Sequence, residues 1–417
     1  MARIVIITYG SLGDLHPAIA LALRLRDRGH RAEIATSEPY RPRIAALGLP
    51  FHGVRPSLSI ADEAVLRRIM DGMNGSVHLM RDLVYPSAPE MFADLAPVVA
   101  GADLFVAGEM VCVAPLLSEI TGVRRAFFAL SPISFFTVHD PSLMPGPPGT
   151  RFFQSLGPTA NRAMRTMARI SSYRWWAPLR ELHRSVGVPP GRSPFFEGKF
   201  SPHLNLALFS NALQAPPPDW PPHTEQTGFL FHDEADQHPQ LPPTVEKFFN
   251  AGEPPLVFTL GSAAVHLAGD FYAQSARAAE ILGRRALLLL GPNSAPGALP
   301  PSVLPWDYLP YAQVFPRAAA VVHQGGIGTT AQVLRAGRPM VVVPYAHDQF
   351  DNAARAARLG AAREVSRREY RAANVAATLV GLLANPTSAD AAREIGEHIR
   401  AERGLERACD AIERALP

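Results

Sequence analysis

The chain of 417 residues contains few cysteines, few lysines and no block of consecutive basic residues. Its two cysteines, Cys112 and Cys409, are far apart and outside any CxxC pair, so we expect two buried thiols in a reducing compartment. Lysine occurs only at Lys199 and Lys247, and arginine carries nearly all of the positive charge. Because the net charge of +3 is spread over the whole chain with no basic block, we predict no nucleic-acid partner.

Long apolar segments are also missing from the sequence. No run approaches the roughly 20 residues of a membrane-spanning helix, and residues 1–10 lack the charged start and cleavage site of a signal peptide. We therefore expect a cytoplasmic protein, with peripheral contact to a membrane surface left open. The chain is too long for one ordinary core, which favours two domains.

Short β-branched segments alternate with helical ones in both halves of the chain. Residues 4–8 and 31–36 read as strands on either side of a glycine turn and a leucine-rich helix. In the second half, strands are predicted at residues 256–260, 286–290, 318–323 and 340–344. This alternation predicts an α/β protein with doubly wound parallel sheets. A helical insert rich in aromatic residues and arginine is predicted between about residues 141 and 190.

Proline marks the expected domain boundary. Residues 214–222 read Gln-Ala-Pro-Pro-Pro-Asp-Trp-Pro-Pro, and proline fixes φ and lacks a backbone donor, so neither a helix nor a central strand should run through them. We assign residues 1–213 to an N-terminal domain, 214–226 to a linker and 227–385 to a C-terminal domain. Helices in residues 386–417 are expected to cross back to the N-terminal domain.

The most informative segment is the turn His-Gln-Gly-Gly-Ile-Gly-Thr-Thr at residues 323–330. A strand leads into it, and its glycines let backbone N–H groups approach an anion at the start of a helix. His323 and Thr329 add side-chain donors. Such a turn holds a diphosphate without a metal ion, and the chain has no Asp-x-Asp triplet for one. The alternative is a tight turn with a capping threonine.

A polar pair, Asp348 and Gln349, follows the next strand. Ligands bind beyond the carboxyl ends of strands in open α/β sheets, and a carboxylate beside an amide suits adjacent sugar hydroxyls. The alternative for Asp348 is a helix N-cap.

These two segments together resemble the donor signature of family 1 glycosyltransferases. The resemblance implies the GT-B fold, with two Rossmann-like domains that face each other across a cleft, the N-terminal one for the acceptor and the C-terminal one for the nucleotide sugar. It also implies base stacking by Tyr308, with Trp306 as the competitor, and a base-edge contact by the Leu309 backbone. The donor-binding residues implied are Ser262, Tyr308, Leu309, His323, Gly325, Gly326, Gly328, Thr329, Asp348 and Gln349.

The first glycine turn, Gly10-Ser-Leu-Gly-Asp-Leu-His-Pro, resembles that of sterol and glycopeptide-antibiotic glycosyltransferases, which carry an aspartate there. The resemblance implies Asp14 as the base that removes the acceptor proton, with His16 as the alternative. Asp14 could instead be the N-cap of a helix that begins near Pro17. Candidate acceptor residues are Glu109, Phe136 and His139.

Further segments, such as Pro217-x-Asp-Trp-Pro and Ala346-His-Asp-Gln-Phe-Asp-Asn-Ala, resemble the rhamnosyltransferases of rhamnolipid synthesis. The resemblance implies inverting, metal-independent transfer of a hexose or deoxyhexose from a UDP- or dTDP-sugar to a small hydrophobic acceptor, a phenolic compound or a hydroxy-lipid. No cofactor is expected, and the protein is expected to be a monomer or homodimer. The alternatives are a rhamnosyltransferase specific for a hydroxy-fatty-acid lipid and a nucleotide-sugar epimerase of the same fold.

Overall fold

The computed structural model describes residues 1–56, 63–145, 150–233 and 240–417. The chain forms two compact units, which are Met1–His232 with Arg403–Pro417, and Asp233–Glu402. The expected linker, residues 214–226, lies within the first unit. The domain limits expected from the sequence stay a prediction.

The first unit contains one parallel sheet in the described part of the chain. Its strands are β1 (Arg3–Ile7), β2 (Arg31–Thr36), β3 (Phe51–Gly53), β4 (Leu104–Gly108), β5 (Arg124–Ala129), β6 (Leu204–Ala207) and β7 (Thr224–Gln226). They are ordered β3-β2-β1-β4-β5-β6-β7, and Ile7 pairs with Ala107 where the order reverses between β1 and β4. Ligands bind at such a reversal in doubly wound sheets.

Helices cover both faces of this sheet. They are α1 (Leu12–Asp27), α2 (Arg41–Ala46), α3 (Glu63–Ile69), α4 (Gly75–His78), α5 (Ala88–Val99), α6 (Ala114–Thr121), α7 (Thr150–Ser155), α8 (Pro158–Ser171) and α9 (Ala177–Ser185). Ile4 and Ile6 of β1 pack into the core under α1, whereas Val5 and Ile7 pack into the core under α5. Burial on both faces explains why the strand is a continuous apolar run.

The second unit repeats this architecture in the described residues. Its strands are β8 (Leu256–Thr259), β9 (Ala286–Leu289), β10 (Val303–Trp306), β11 (Ala320–His323), β12 (Met340–Val342) and β13 (Ala362–Glu364). All are parallel, in the order β10-β9-β8-β11-β12-β13, so the order reverses between β8 and β11.

The remaining helices divide between the units. The second unit has α10 (Pro243–Asn250), α11 (Phe271–Ile281), α12 (Tyr311–Val314), α13 (Ile327–Arg335), α14 (Gln349–Arg358), α15 (Ala372–Leu383) and α16 (Pro386–Ala401). The last helix, α17 (Gly404–Ala415), belongs to the first unit and packs against α1. Arg28, just after α1, pairs there with Glu406, Asp410 and Glu413.

Several expectations can be compared with these elements. The strand at residues 31–36 and the two buried, unpaired cysteines are confirmed. The helical insert is confirmed by α7, α8 and α9, although residues 146–149 of it lie outside the described residues. Residues 214–222 contain no helix or strand, as the proline-rich sequence predicts, and β7 follows them as the edge strand of its sheet, paired with β6. None of the helices in the described ranges has the length and apolar character that a membrane span needs.

Candidate active site

Two loops of the second unit meet where its strand order reverses. Gly261 and Ser262 follow β8, and the glycine turn follows β11. The side chain of Gln324 fills the space between the loops, because a Cβ at Gly261 would lie 2.2 Å from its Nε2 and a Cβ at Gly326 would lie 2.8 Å from it. Ser262 is partly buried beside this contact. The structure therefore brings Ser262 and the glycine turn to one place.

The turn itself needs glycine at residue 325. Gly325 has φ +89°, and a Cβ there would lie 2.7 Å from Val342 Cγ1. Gly326 is the N-cap of α13, and the first amide to bond back within the helix is that of Thr330, which donates to the Gly326 carbonyl at 2.9 Å. The amides of the first helical turn, including Gly328 and Thr329, precede that bond. Such a helix start suits an anion.

His323 is completely buried. Its Nδ1 accepts a hydrogen bond from the Gly325 amide at 3.0 Å, so the ring proton lies on Nε2, which is 3.3 Å from Met340 Sδ. Burial lowers the pKa of this imidazole to about 3, so the ring is neutral at physiological pH. In this structure the buried His323 ring stabilises the turn through its hydrogen bond with the Gly325 amide. Its contact with a diphosphate stays a prediction.

Gln324 is a residue that the sequence analysis did not single out. Its side chain is 6% exposed, its Nε2 donates to Thr329 Oγ1 at 3.4 Å, and its Oε1 has no hydrogen-bond partner in the described residues. Because a buried amide without its partners is unfavourable, Gln324 is suited to contact a ligand at the turn. The only sequence signal for Gln324 was its polar side chain, at the variable position directly after His323.

Asp348 and Gln349 lie at the start of α14. Gln349 Oε1 accepts from the Tyr345 and Ala346 amides at 2.8 and 3.1 Å, which leaves the donors of the amide group for a ligand. Its carbonyl oxygen is therefore occupied within the protein, and the acceptor of the pair is the Asp348 carboxylate. Asp348 occupies the N-cap position of α14, as the alternative expected, but its side chain makes no capping hydrogen bond to that helix.

Asn352 connects this pair to the glycine turn. Its Nδ2 donates to Asp348 Oδ2 at 2.8 Å and to the Gly325 carbonyl at 3.0 Å, and the residue is completely buried. The sequence analysis missed this role because one helical turn separates Asn352 from Asp348. Hydrogen bonds thus join the glycine turn after β11 to the start of α14.

The predicted base-binding residues follow β10. Tyr308 is 46% exposed, whereas Leu309 is buried and Trp306 is partly buried. The Tyr308 ring lies 6.3 Å from that of Tyr311, whose hydroxyl bonds to Thr259 Oγ1 at 2.9 Å. The more exposed ring suits stacking on a planar group.

Asp14 lies in the first turn of α1. The alternative of a helix that begins near Pro17 is wrong, because α1 begins at Leu12 with Ser11 as its N-cap. Asp14 Oδ2 accepts from the Ser11 amide at 2.8 Å and from its hydroxyl at 3.3 Å, which completes a capping box. Gly10, with φ +145°, accommodates this carboxylate, since a Cβ there would lie 2.3 Å from Oδ2.

The environment of Asp14 shifts its titration. Desolvation raises the pKa of Asp14 to about 6, assisted by the negative charge of Glu109 and opposed by the hydrogen bonds from Ser11. His16, the alternative base, is rotated by about 200° around the helix. Its Nε2 lies 3.3 Å from Arg43 Nη1, and its ring lies 5.7 Å from that of His232.

Two of the three acceptor candidates share a cluster. Glu109 directly follows β4, and Phe136 packs with its ring centroid 4.8 Å from Lys199 Nζ, the group that pairs with Glu109. His139 is exposed, and its amide donates to Thr137 Oγ1 at 3.2 Å. The sequence analysis missed Lys199, whose rarity in an arginine-rich chain was the one available signal. Trp176, in the aromatic insert, is part of the hydrophobic core.

Comparison with known proteins gives two family matches. Residues 4–99 match the model of the glycosyltransferase family 28 N-terminal domain, and residues 290–406 match that of the erythromycin biosynthesis protein CIII-like C-terminal domain. The chain is 33% identical to the O-mycaminosyltylonolide 6-deoxyallosyltransferase of Streptomyces fradiae, over 99% of this chain and 97% of that protein. It is 28% identical to the vancomycin aglycone glucosyltransferase of Amycolatopsis orientalis, over 86% and 84%.

Solved structures share the fold. The glycotransferase of kitacinnamycin superposes with a TM-score of 0.74 at 22% identity, covering 100% of both chains. The glycosyltransferase VinC in complex with dTDP superposes with a TM-score of 0.70 at 20% identity, covering 99% of both chains. At these identities the likeness is evidence for the fold alone.

Proposed function

The chain belongs to the family 1 glycosyltransferases of the GT-B fold, and we propose that it is an inverting, metal-independent enzyme that transfers a 6-deoxyhexose from a dTDP-sugar to a natural-product hydroxyl group. The Streptomyces fradiae relative is named for transfer of 6-deoxyallose to O-mycaminosyltylonolide, and several structural neighbours were solved with thymidine diphosphate. The observation that carries the proposal is the glycine turn before α13, where helix amides and the incompletely bonded Gln324 converge.

In the proposed donor site the diphosphate lies against the start of α13. Unpaired amides there donate hydrogen bonds to phosphate oxygens, as does the N–H of Gln324 Nε2 that is not directed at Thr329. The positive end of the helix dipole stabilises the charge that develops on the leaving group. Ser262 and Thr329 add hydroxyl donors. This arrangement supplies without a metal ion the charge stabilisation that a divalent cation gives other transferases.

The remaining donor contacts follow from the same unit. Asp348 accepts hydrogen bonds from sugar hydroxyls, and the Gln349 amide donates to a neighbouring sugar oxygen. Tyr308 stacks on the base, whose edge the Leu309 backbone contacts. Asn352 orients the Asp348 carboxylate by donating a hydrogen bond to it, and Asn352 itself is held by its bond to the Gly325 carbonyl.

Asp14 is the proposed general base. It takes the proton of the acceptor hydroxyl, the acceptor oxygen forms a bond to the anomeric carbon, and the bond from that carbon to the diphosphate oxygen breaks with its electron pair. Attack opposite the leaving group inverts the anomeric configuration. A pKa of about 6 suits this role, because the carboxylate is ionised at neutral pH and still accepts a proton readily.

The first test is a matrix of donors and acceptors read by mass spectrometry. Donors are UDP-glucose, dTDP-rhamnose and dTDP-6-deoxyallose, and acceptors are O-mycaminosyltylonolide, a phenolic set and 3-hydroxy fatty acids. We expect the added mass of a deoxyhexose on a natural-product acceptor. Product on the fatty acids alone supports the lipid rhamnosyltransferase alternative, and an altered sugar without acceptor supports the epimerase.

Two further measurements test the mechanism. The coupling constant of the anomeric proton in the product should report the configuration opposite to that of the donor. Turnover should be unchanged by excess EDTA. Retention of configuration, or loss of turnover that Mg²⁺ restores, contradicts the corresponding part of the proposal.

A further inference from the structure

Lys199 places a charged group inside the first unit. Its side chain is 5% exposed, and it lies on the segment that leads into β6. Burial lowers the pKa of this amine, and the adjacent Glu109 opposes the shift. Four phenylalanine rings, the aromatic cage, lie with their centroids 4.8 to 6.0 Å from Nζ; they are Phe127, Phe136, Phe195 and Phe200. Cation–π attraction offsets part of the cost of burying the ammonium group.

Glu109 is the carboxylate that balances this charge. Its Oε1 pairs with Lys199 Nζ, and its Oε2 accepts from Ser134 Oγ at 2.6 Å. The Glu109 side chain is 27% exposed, so the carboxylate bridges the caged ammonium group and the protein surface. Carboxylate oxygens accept more than one hydrogen bond each, so both retain acceptor capacity toward a ligand.

The backbone around Lys199 is held by a second buried cation. Arg125 of β5 donates to the carbonyls of Lys199 and Phe200 at 2.7 and 2.6 Å, and Ser201 Oγ donates to the Arg125 carbonyl at 2.6 Å. Because its backbone is held by Arg125 and its side chain is enclosed by the aromatic cage, Lys199 has little freedom to move. It therefore fixes the orientation of the Glu109 side chain.

The position of Glu109 in the sheet suggests why this pair exists. Glu109 follows β4 and Asp14 follows β1, and these two strands are neighbours where the strand order reverses. The charged and titratable groups facing Glu109 are Lys199, Asp14 and Tyr85, since its charge acts on each of them. A buried ion pair is weak evidence for stability, because apolar replacements are often as stable. Its place beside the proposed base argues for a role in the reaction.

We propose that Lys199 is a positioning residue of the acceptor site. It holds the Glu109 carboxylate in one orientation at the end of β4, and Glu109 accepts a hydrogen bond from a second hydroxyl group of the acceptor, close to the one that is glycosylated. The inference rests on the proposed function and narrows it to acceptors that carry at least two neighbouring hydroxyl groups.

The test compares Lys199→Met, Glu109→Gln and the double variant with wild type, using dTDP-6-deoxyallose and O-mycaminosyltylonolide. Methionine fills the aromatic cage without a charge. We expect each single variant to raise the acceptor KM about ten-fold, as for a lost hydrogen bond to a charged group, with the donor KM within two-fold. The double variant should match the single ones, because the pair acts as a unit. Lys247→Met, which removes the exposed lysine on α10, is the control and should leave both constants unchanged.

Thermal unfolding separates positioning from a structural role. Glu109→Gln leaves the ammonium group buried without its counterion and should lower Tm, whereas the double variant removes both charges and should recover Tm. The acceptor KM should stay raised in the double variant. An acceptor KM that recovers together with Tm, or one that is unchanged in Lys199→Met, overturns the inference while the proposed function stands.

A measurement without turnover completes the test. Because the chain has two lysines, ¹³C-lysine labelling yields two ε-carbon NMR signals, which Lys247→Met assigns. O-mycaminosyltylonolide added without donor should shift the Lys199 signal and leave that of Lys247 in place. A shift in a wild-type protein that forms no product would contradict the proposed transfer and support the acceptor site. An unmoved Lys199 signal at saturating acceptor contradicts the inference.

Discussion

The two units share a doubly wound sheet but hold different chemistry where the strand order reverses. In the first unit the reversal carries charged side chains, with Asp14 after β1 and the Glu109–Lys199 pair after β4. In the second unit it carries neutral donors, with helix amides and Gln324 after β11 and a buried, neutral His323 behind them. In the proposed function the first unit exchanges a proton and the second binds a group of fixed charge.

This difference follows from what each task needs. Proton transfer requires a group whose pKa lies near the working pH, whereas a diphosphate keeps its charge and is held best by oriented dipoles. The pH dependence of the enzyme should therefore come from the first unit. Variants in the two units should affect different constants, turnover in the first and donor affinity in the second.

Asp14→Asn should have the largest effect. It keeps the shape of the capping box and removes the basicity, so kcat should fall about 1,000-fold, while affinity for dTDP measured by calorimetry stays within two-fold. Asp27→Asn, at the far end of the same helix and exposed, is the matched control. Near-normal turnover of Asp14→Asn would rule out Asp14 as the base and leave His16, two residues further along the same helix, as the candidate.

Gly325→Ala should be the strongest variant on the donor side. A Cβ at φ +89° that meets Val342 forces the turn to move, so dTDP affinity should fall about 100-fold, by the loss of two hydrogen bonds to charged groups. Gly381→Ala in α15, where a Cβ meets nothing within 4 Å, should instead stabilise the protein by about 0.5–1 kcal/mol. Unchanged dTDP affinity in Gly325→Ala contradicts a diphosphate site at this turn.

The Gln324→Ala variant tests whether the Gln324 side chain itself, and not only the backbone of the turn, contacts the donor. Loss of one hydrogen bond to a phosphate should weaken dTDP binding about ten-fold, with kcat changed less than affinity. Gln332→Ala, further along α13, removes the same amide group away from the turn and should leave dTDP affinity unchanged. Equal effects of the two variants would mean that the Gln324 side chain does not contact the donor.

The pH profile should show an effect no larger than that of Gln324→Ala. Because the pKa of Asp14 is raised to about 6, its carboxylate is mostly ionised at pH 7 and mostly protonated at pH 5. Thus kcat/KM for the acceptor should fall about ten-fold between these values. The donor KM should stay flat, since the pKa of His323 is lowered to about 3 and the ring remains neutral. A donor KM that follows the same pH curve would contradict the assignment of the pH dependence to the first unit alone.

Residue patterns predicted the strands that are buried and apolar, and they missed strands at the sheet edges. The β2 strand at residues 31–36 matches its prediction, because its residues are almost all buried. The edge strands β3, β7 and β10 are short and partly exposed, and β10 contains Pro305, so no apolar run marks them. Asp14 and Asp348 were both possible helix caps by sequence. The structure shows that Ser11 is the N-cap of α1, and that Asp348 is at the N-cap of α14 with its carboxylate accepting from Asn352.

The sequence by itself determined the two doubly wound sheets, the glycine turns and the family, because these depend on local periodicity and on motifs a few residues long. Only the tertiary structure decided which side chains reach the sites. The His323 ring is buried and accepts a hydrogen bond from the Gly325 amide, whereas the carbonyl oxygen of Gln324 has no hydrogen-bond partner in the described residues. Folding also joined Lys199 to Glu109 across 90 residues of sequence. Motif spacing does not predict such contacts, because they form only when segments far apart in the sequence fold onto one another.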